Sequence, residues 1–187
     1  MSHTPHVTRS ETYFAELRRE FPGLRLVPKK DVWHQRWAGA LLRIATLGRM
    51  SSYMSHYTTV LLRTIYVPTG WETKSDDEKY ITLRHEAVHL RQFRRYTLPG
   101  MALLYVLLPL PLGLAWFRAR FEREAYEESI RACAEVWGAD APAQARYRAN
   151  VIRQFVGPAY GWMWPFRRAL ERWYDGVLAS LPSPGVC

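Results

Sequence analysis

The sequence predicts an α+β, mostly helical fold: a small antiparallel sheet precedes a helix carrying His85-Glu86-Ala87-Val88-His89, and a glutamate-bearing helix and C-terminal helices follow. Three observations predict it. Apolar residues recur at helical spacing along most of the chain, between capping residues and glycine or proline stops. One stretch, 57–67, is instead a β-branched and aromatic run closed by Pro68. The 187 residues, without repeats or low-complexity tracts, suit one domain able to close a core. That domain is expected to run 1–187, with an apolar insert at 97–117 and a disordered tail at 182–187.

Taken in order, Ser10 is placed to cap a first helix that runs to Glu20 and stops at Phe21-Pro22-Gly23. Residues 24–27 read as a short strand ended by Pro28. From 31 to 47, Val32, Trp33, Trp37, Leu41 and Ile44 keep helical spacing, and Gly48 provides a stop. The run 57–67 is one long strand or a hairpin. Ser75 with Glu78 three residues later forms a capping box, and Asp76 and Asp77 add negative charge at the positive helix end. That helix is expected to reach about Tyr96. A charged helix over 118–137 stops at Gly138, and two further helices are expected near 141–156 and 165–181, separated by the aromatic turn 160–164.

Residues four apart on a helix share a face, so His85 and His89 offer two imidazoles to one metal ion. Glu86 lies beside that face, within reach of a water at the metal without being a ligand. Zinc hydrolysis needs these residue types in this pattern: the ion polarises a carbonyl and acidifies water, and a carboxylate moves the proton. His85 and His89 are therefore candidate zinc ligands, and Glu86 is the candidate general base.

Zinc needs a third protein ligand. The following helix contains Phe121-Glu122-Arg123-Glu124-Ala125-Tyr126. Glu-x-x-Ala some tens of residues after His-Glu-x-x-His resembles the gluzincins, metallopeptidases whose third ligand is a glutamate, often written Glu-x-x-Ala-Asp. The resemblance covers about 45 residues, from His85 to Ser129. It implies a Zn2+ site of His85, His89 and Glu122, with Ala125 as the small residue that lets two helices approach. Glu124 competes with Glu122, but about 200° of helical rotation separates them, so they cannot share one ion. Glu124 also lacks alanine at the matching offset.

The family's aspartate, which orients a ligand histidine, is replaced by Tyr126. Tyr126 is expected either to hydrogen-bond a histidine or to stabilise an oxyanion as a catalytic group. The resemblance further implies that 57–67 supplies an edge strand on which a peptide or protein substrate lies extended, through backbone hydrogen bonds.

Residues 97–117 carry no charge, a length that suggests a membrane span. A single crossing would part the histidines from Glu122, and Pro109 and Pro111 divide the run, so the insert is expected to fold back on itself. It reads as a buried hairpin, a flap or a re-entrant segment. The flanking arginines and a formal charge of +9 suit an anionic membrane surface, or equally a solvated basic surface. A nucleic-acid-associated protein is the less favoured use of that charge, because the basic residues are scattered and no recognised motif appears. A third class is a zinc-stabilised interaction module without catalysis, which a closed coordination shell would mark. Two distant cysteines make a disulfide framework unlikely. Residues 1–10 show no signal-peptide pattern, so the protein is expected in the cytoplasm, peripheral or re-entrant at the membrane.

Overall fold

Helix α1 (Arg9–Glu20) begins where Thr8 and Glu11 close a capping box: the Glu11 amide donates to Thr8 Oγ1 at 3.4 Å and the Thr8 amide to Glu11 Oε2 at 2.9 Å. The cap is thus Thr8, not Ser10. Ser10 lies inside the first turn, where its amide donates to Asp76 Oδ1 at 3.1 Å. The computed structural model describes residues 7–29, 58–101, 116–157 and 163–182. The helix expected over 31–47, Tyr57, the greater part of the insert (102–115), the aromatic turn at 160–162 and the tail beyond Pro182 lie outside the described residues.

Three short strands follow α1: β1 (Arg25–Pro28), β2 (Thr59–Leu61) and β3 (Thr64–Val67), in the order β1-β3-β2. The sheet is mixed rather than wholly antiparallel. β2 and β3 form an antiparallel hairpin around Leu62 and Arg63, while β1 joins β3 in parallel. The parallel pairing is possible because a long connection separates β1 from β3, giving the chain length to return in the same direction. Leu62 takes a left-handed φ of 55°, a turn conformation that glycine or asparagine would adopt more cheaply.

Helix α2 (Asp76–Met101) starts at the expected capping box, with the Glu78 amide donating to Ser75 Oγ at 3.2 Å and the Ser75 amide to Glu78 Oε2 at 2.9 Å. Its regular run ends after Tyr96, because Thr97 leaves helical geometry at φ 60°, ψ 168°. Pro99 explains the break: it has no amide for the Arg95 carbonyl, and its ring would collide with that carbonyl in a continuous helix. Helix α3 (Trp116–Trp137) packs along α2, and a single 3-10 turn (Ala141–Ala143) leads to α4 (Ala145–Val156) and α5 (Arg167–Ala179). The molecule is accordingly mostly helical with a small sheet. Among the described residues, no helix is long and apolar enough to cross a membrane.

Two apolar cores flank the α2–α3 contact. One gathers Leu17, Val60, Ile65, Val67, Leu83 and Leu90 between α1, the sheet and α2. The other gathers Ile130, Val151, Phe155, Leu170 and Tyr174 between α3, α4 and α5. At the seam Ala125 of α3 is fully buried, and its small side chain lets the helices approach closely, whereas Ala87 faces away into the first core. Arg84 fastens the same seam: its Nε donates to Glu128 Oε1 at 2.6 Å and its Nη1 lies 2.9 Å from Glu135 Oε2. Arg84 and Glu128 are each about one-fifth exposed, so this pair is less screened than a surface ion pair. On the other side, Glu20 of α1 receives Arg91 at 2.7 Å and Arg94 at 3.3 Å.

Candidate metal centre

The seam between α2 and α3 carries the three expected ligands. His85 and His89, one turn apart on α2, bring their Nε2 atoms to 3.2 Å of each other. From α3, Glu122 Oε2 lies 3.7 Å from His85 Nε2 and 3.9 Å from His89 Nε2. The circle through those three atoms has a radius of about 2.1 Å, which matches a zinc–nitrogen or zinc–oxygen bond. A zinc-sized ion therefore fits the donor set. Among the described residues this is the one group of His, Cys, Asp and Glu donors close enough to hold a metal.

The neighbours of the two histidines select one tautomer of the neutral ring. Ser129 Oγ donates to the Ala125 carbonyl at 3.2 Å, so toward His85 Nδ1, 3.0 Å away, it presents a lone pair. Gln92 Nε2 donates to the Phe121 carbonyl at 3.2 Å and to Glu124 Oε2 at 2.9 Å. Both are pure acceptors, which turns Gln92 Oε1 toward His89 Nδ1 at 2.9 Å. Each neutral imidazole thus holds its proton on Nδ1 and offers the Nε2 lone pair, the tautomer a metal requires.

Glu122 and Glu124 separate as helical rotation requires. Glu122 is 2% exposed and faces the histidines, whereas Glu124 is exposed and holds Gln92 and, at 3.6 Å, Arg120. Tyr126 also reaches the site: its ring packs edge-on against His85 with centroids 4.8 Å apart, and against Phe155 at 5.5 Å. Because Ser129 and Gln92 engage both Nδ1 atoms, orienting the histidines does not require Tyr126.

Glu86 is 5% exposed and is not one of the three converging donors. Burial pushes its carboxyl up to about 7; His89 pulls it down, Glu122 pushes it further up, and Lys29 and Lys74 pull it down. Lys29, directly after β1, is fully buried, and burial lowers its ammonium to about 8 against the attraction of Glu86. The residue that follows the first strand thus brings a cation within electrostatic reach of the candidate base.

Sequence reasoning gave no role to Gln92, Ser129 or Lys29. Gln92 had a signal, since it stands three residues after His89 on the same helix. Ser129 had one too, on the face of Glu122 and Ala125. Lys29 had none, because nothing in a lysine after a proline announces burial. The candidate substrate edge is narrower than the run 57–67. β3 is flanked on both sides, and β2 is the edge strand beside α2 among the described residues.

Removing either histidine partner gives a first prediction. Gln92→Leu and Ser129→Ala should each weaken zinc affinity by about 10- to 100-fold, read by competition with a chromophoric chelator. Unchanged affinity in both variants would mean that the imidazoles are oriented by other groups.

No family model matches the chain, and no curated protein or solved structure matches it either.

Proposed function

We propose that the protein is a zinc-dependent peptidase of the gluzincin type, with His85, His89 and Glu122 as ligands and Glu86 as general base. The observation that carries this reading is the convergence of three donor atoms from two helices beside a buried carboxylate. Three protein donors, the number counted among the described residues, are what catalytic zinc uses, and this favours hydrolysis over a closed structural site. Bound Zn2+ would polarise the scissile carbonyl and lower the pKa of water held beside it.

The chain's own residues do the rest. Glu86 takes a proton from the attacking water and returns it to the leaving amine. Lys29 steadies the charge on Glu86. Ser129 and Gln92 keep both histidines in the donor tautomer. Tyr126, packed beside His85, is the group we assign to the oxygen that gains charge in the transition state. An extended peptide would pair with the outer edge of β2, where Leu61 is partly exposed.

The test joins metal content to cleavage. Purified protein should carry about one zinc per chain and cut a mixed peptide library. Chelation should abolish cleavage, and added zinc should restore it. If His85→Ala leaves the metal content unchanged, the metal centre is wrong. If zinc binds stoichiometrically and the zinc-loaded protein leaves the library and unfolded protein intact, the peptidase reading falls and the non-catalytic module stands.

A further inference from the structure

Beyond the metal centre, one face of the molecule combines large exposed aromatic rings with arginines that lack carboxylate partners. It has two continuous parts. The first is a groove between α3 and α5, in which Trp116, Trp164 and Trp173 stand with Arg120, Arg123, Glu124 and Glu127. Trp116 is 48% exposed at its rim, and the Arg120 guanidinium lies 5.6 Å over its ring. Arg123 lies 5.3 Å over Trp173 in the same way. The second part is the first turns of α5, where Phe166 is 53% exposed beside Arg167, Arg168 and Arg172. Trp164 and Phe166 touch at 5.2 Å between ring centroids and join the two parts.

The charges on this face are unequal. Arg120 is paired with Glu124 at 3.6 Å and Arg167 with Glu171 at 2.9 Å. Arg168 and Arg172 have no ion-pair partner among the described residues, whereas the charge of Arg123 is partly offset by Glu127 beside it. On α5, Leu170, Tyr174 and Val177 turn inward, so Arg168 and Arg172, one turn apart, stand on the outer side. Nothing in the packing of the second core needs Trp116 or Phe166 to project into solvent.

We propose that this face, from the Trp116 groove to the Phe166–Arg172 ridge, docks the protein on an anionic phospholipid surface. Indole and phenyl rings at a rim, with guanidinium groups behind them, match the two layers of a bilayer interface. Rings enter the boundary between headgroups and acyl chains, and arginines meet lipid phosphates. Guanidinium groups stacked on indole are the form of cation best suited to a partly dehydrated interface. A duplex nucleic acid would also attract the arginines, but it offers no apolar layer for Trp116 and Phe166. Only single strands, on which rings stack, compete as an occupant. The groove and the metal centre lie on different faces of α3, linked through Glu124, which lines the groove and holds Gln92.

The test uses the full chain with sedimented vesicles of phosphatidylcholine alone and with about one-third phosphatidylglycerol. Two unpaired arginines predict partitioning roughly 30-fold stronger into the anionic vesicles. Arg168→Glu with Arg172→Glu should reduce it by more than about 10-fold while leaving thermal melting unchanged, since both positions are exposed. Trp116→Ala with Phe166→Ala should reduce the binding that survives high salt. The proposal is overturned by equal binding to neutral and anionic vesicles, or by no binding to either. It is also overturned if the double charge reversal binds like the parent protein, which would put any lipid contact elsewhere on the chain. Displacement from vesicles by an equal phosphate concentration of single-stranded DNA would assign the face to nucleic acid instead.

Discussion

Glu86→Gln should keep its zinc and lose its catalysis, with the turnover rate falling by about 10²- to 10⁴-fold. Glutamine has the shape of glutamate, so the buried space around position 86, 5% exposed, stays filled. The three metal donors are untouched, and metal content measured by atomic spectrometry should equal that of the parent protein. What disappears is the atom that takes and returns the proton. The neutral amide also relieves a buried charge, so thermal melting should not fall except through the loss of the Lys29 attraction. Activity retained within a few-fold would remove Glu86 from the mechanism even if zinc is present.

The second large effect separates two glutamates that stand two residues apart. Glu122→Ala should lose stoichiometric zinc, with affinity falling by more than the 10- to 100-fold typical of an outer partner. The rise in melting temperature on adding zinc should vanish with it. For the parent protein that rise corresponds to about 2.7 kcal/mol when free zinc is 100 times its dissociation constant. Glu124→Ala should keep its zinc and lose affinity only through Gln92, whose amide it holds at 2.9 Å. The opposite ranking would place the third ligand at Glu124 and contradict the observed approach of Glu122 Oε2 to both histidines.

How far the sequence could be read depended on the distance over which each feature is determined. The pair His85 and His89 was legible because a single helix sets its spacing. The choice of Glu122 over Glu124 was legible for the same reason, through rotation about α3. The capping box at Ser75 is equally local. Near the start of the chain the same local rule favours Thr8, which has Glu11 three residues on, over Ser10, which has Tyr13. The hairpin could not be distinguished from one strand, because its turn uses Leu62 at positive φ instead of a glycine. The parallel pairing of β1, the burial of Lys29 and the acceptor roles of Ser129 and Gln92 arise from packing between distant segments. No spacing encodes them. Tyr126 stands where the resemblance would place an acid, while the groups that engage the two imidazoles are Gln92 on α2 and Ser129, one turn beyond Ala125 on α3.

The Arg84 clamp has a consequence for how metal is acquired. Arg84 directly precedes His85, and its partners Glu128 and Glu135 lie on the helix that carries Glu122. The register of the two helices is therefore held by the protein's own ion pairs, which need no metal. In zinc fingers the metal organises an unfolded chain, and binding energy is consumed by ordering it. If zinc is bound as proposed, it would meet a preorganised donor set, and nearly all of the binding free energy would be expressed as affinity. Loading would then be a matter of ion entry and dehydration, with the tertiary structure kept through metal exchange.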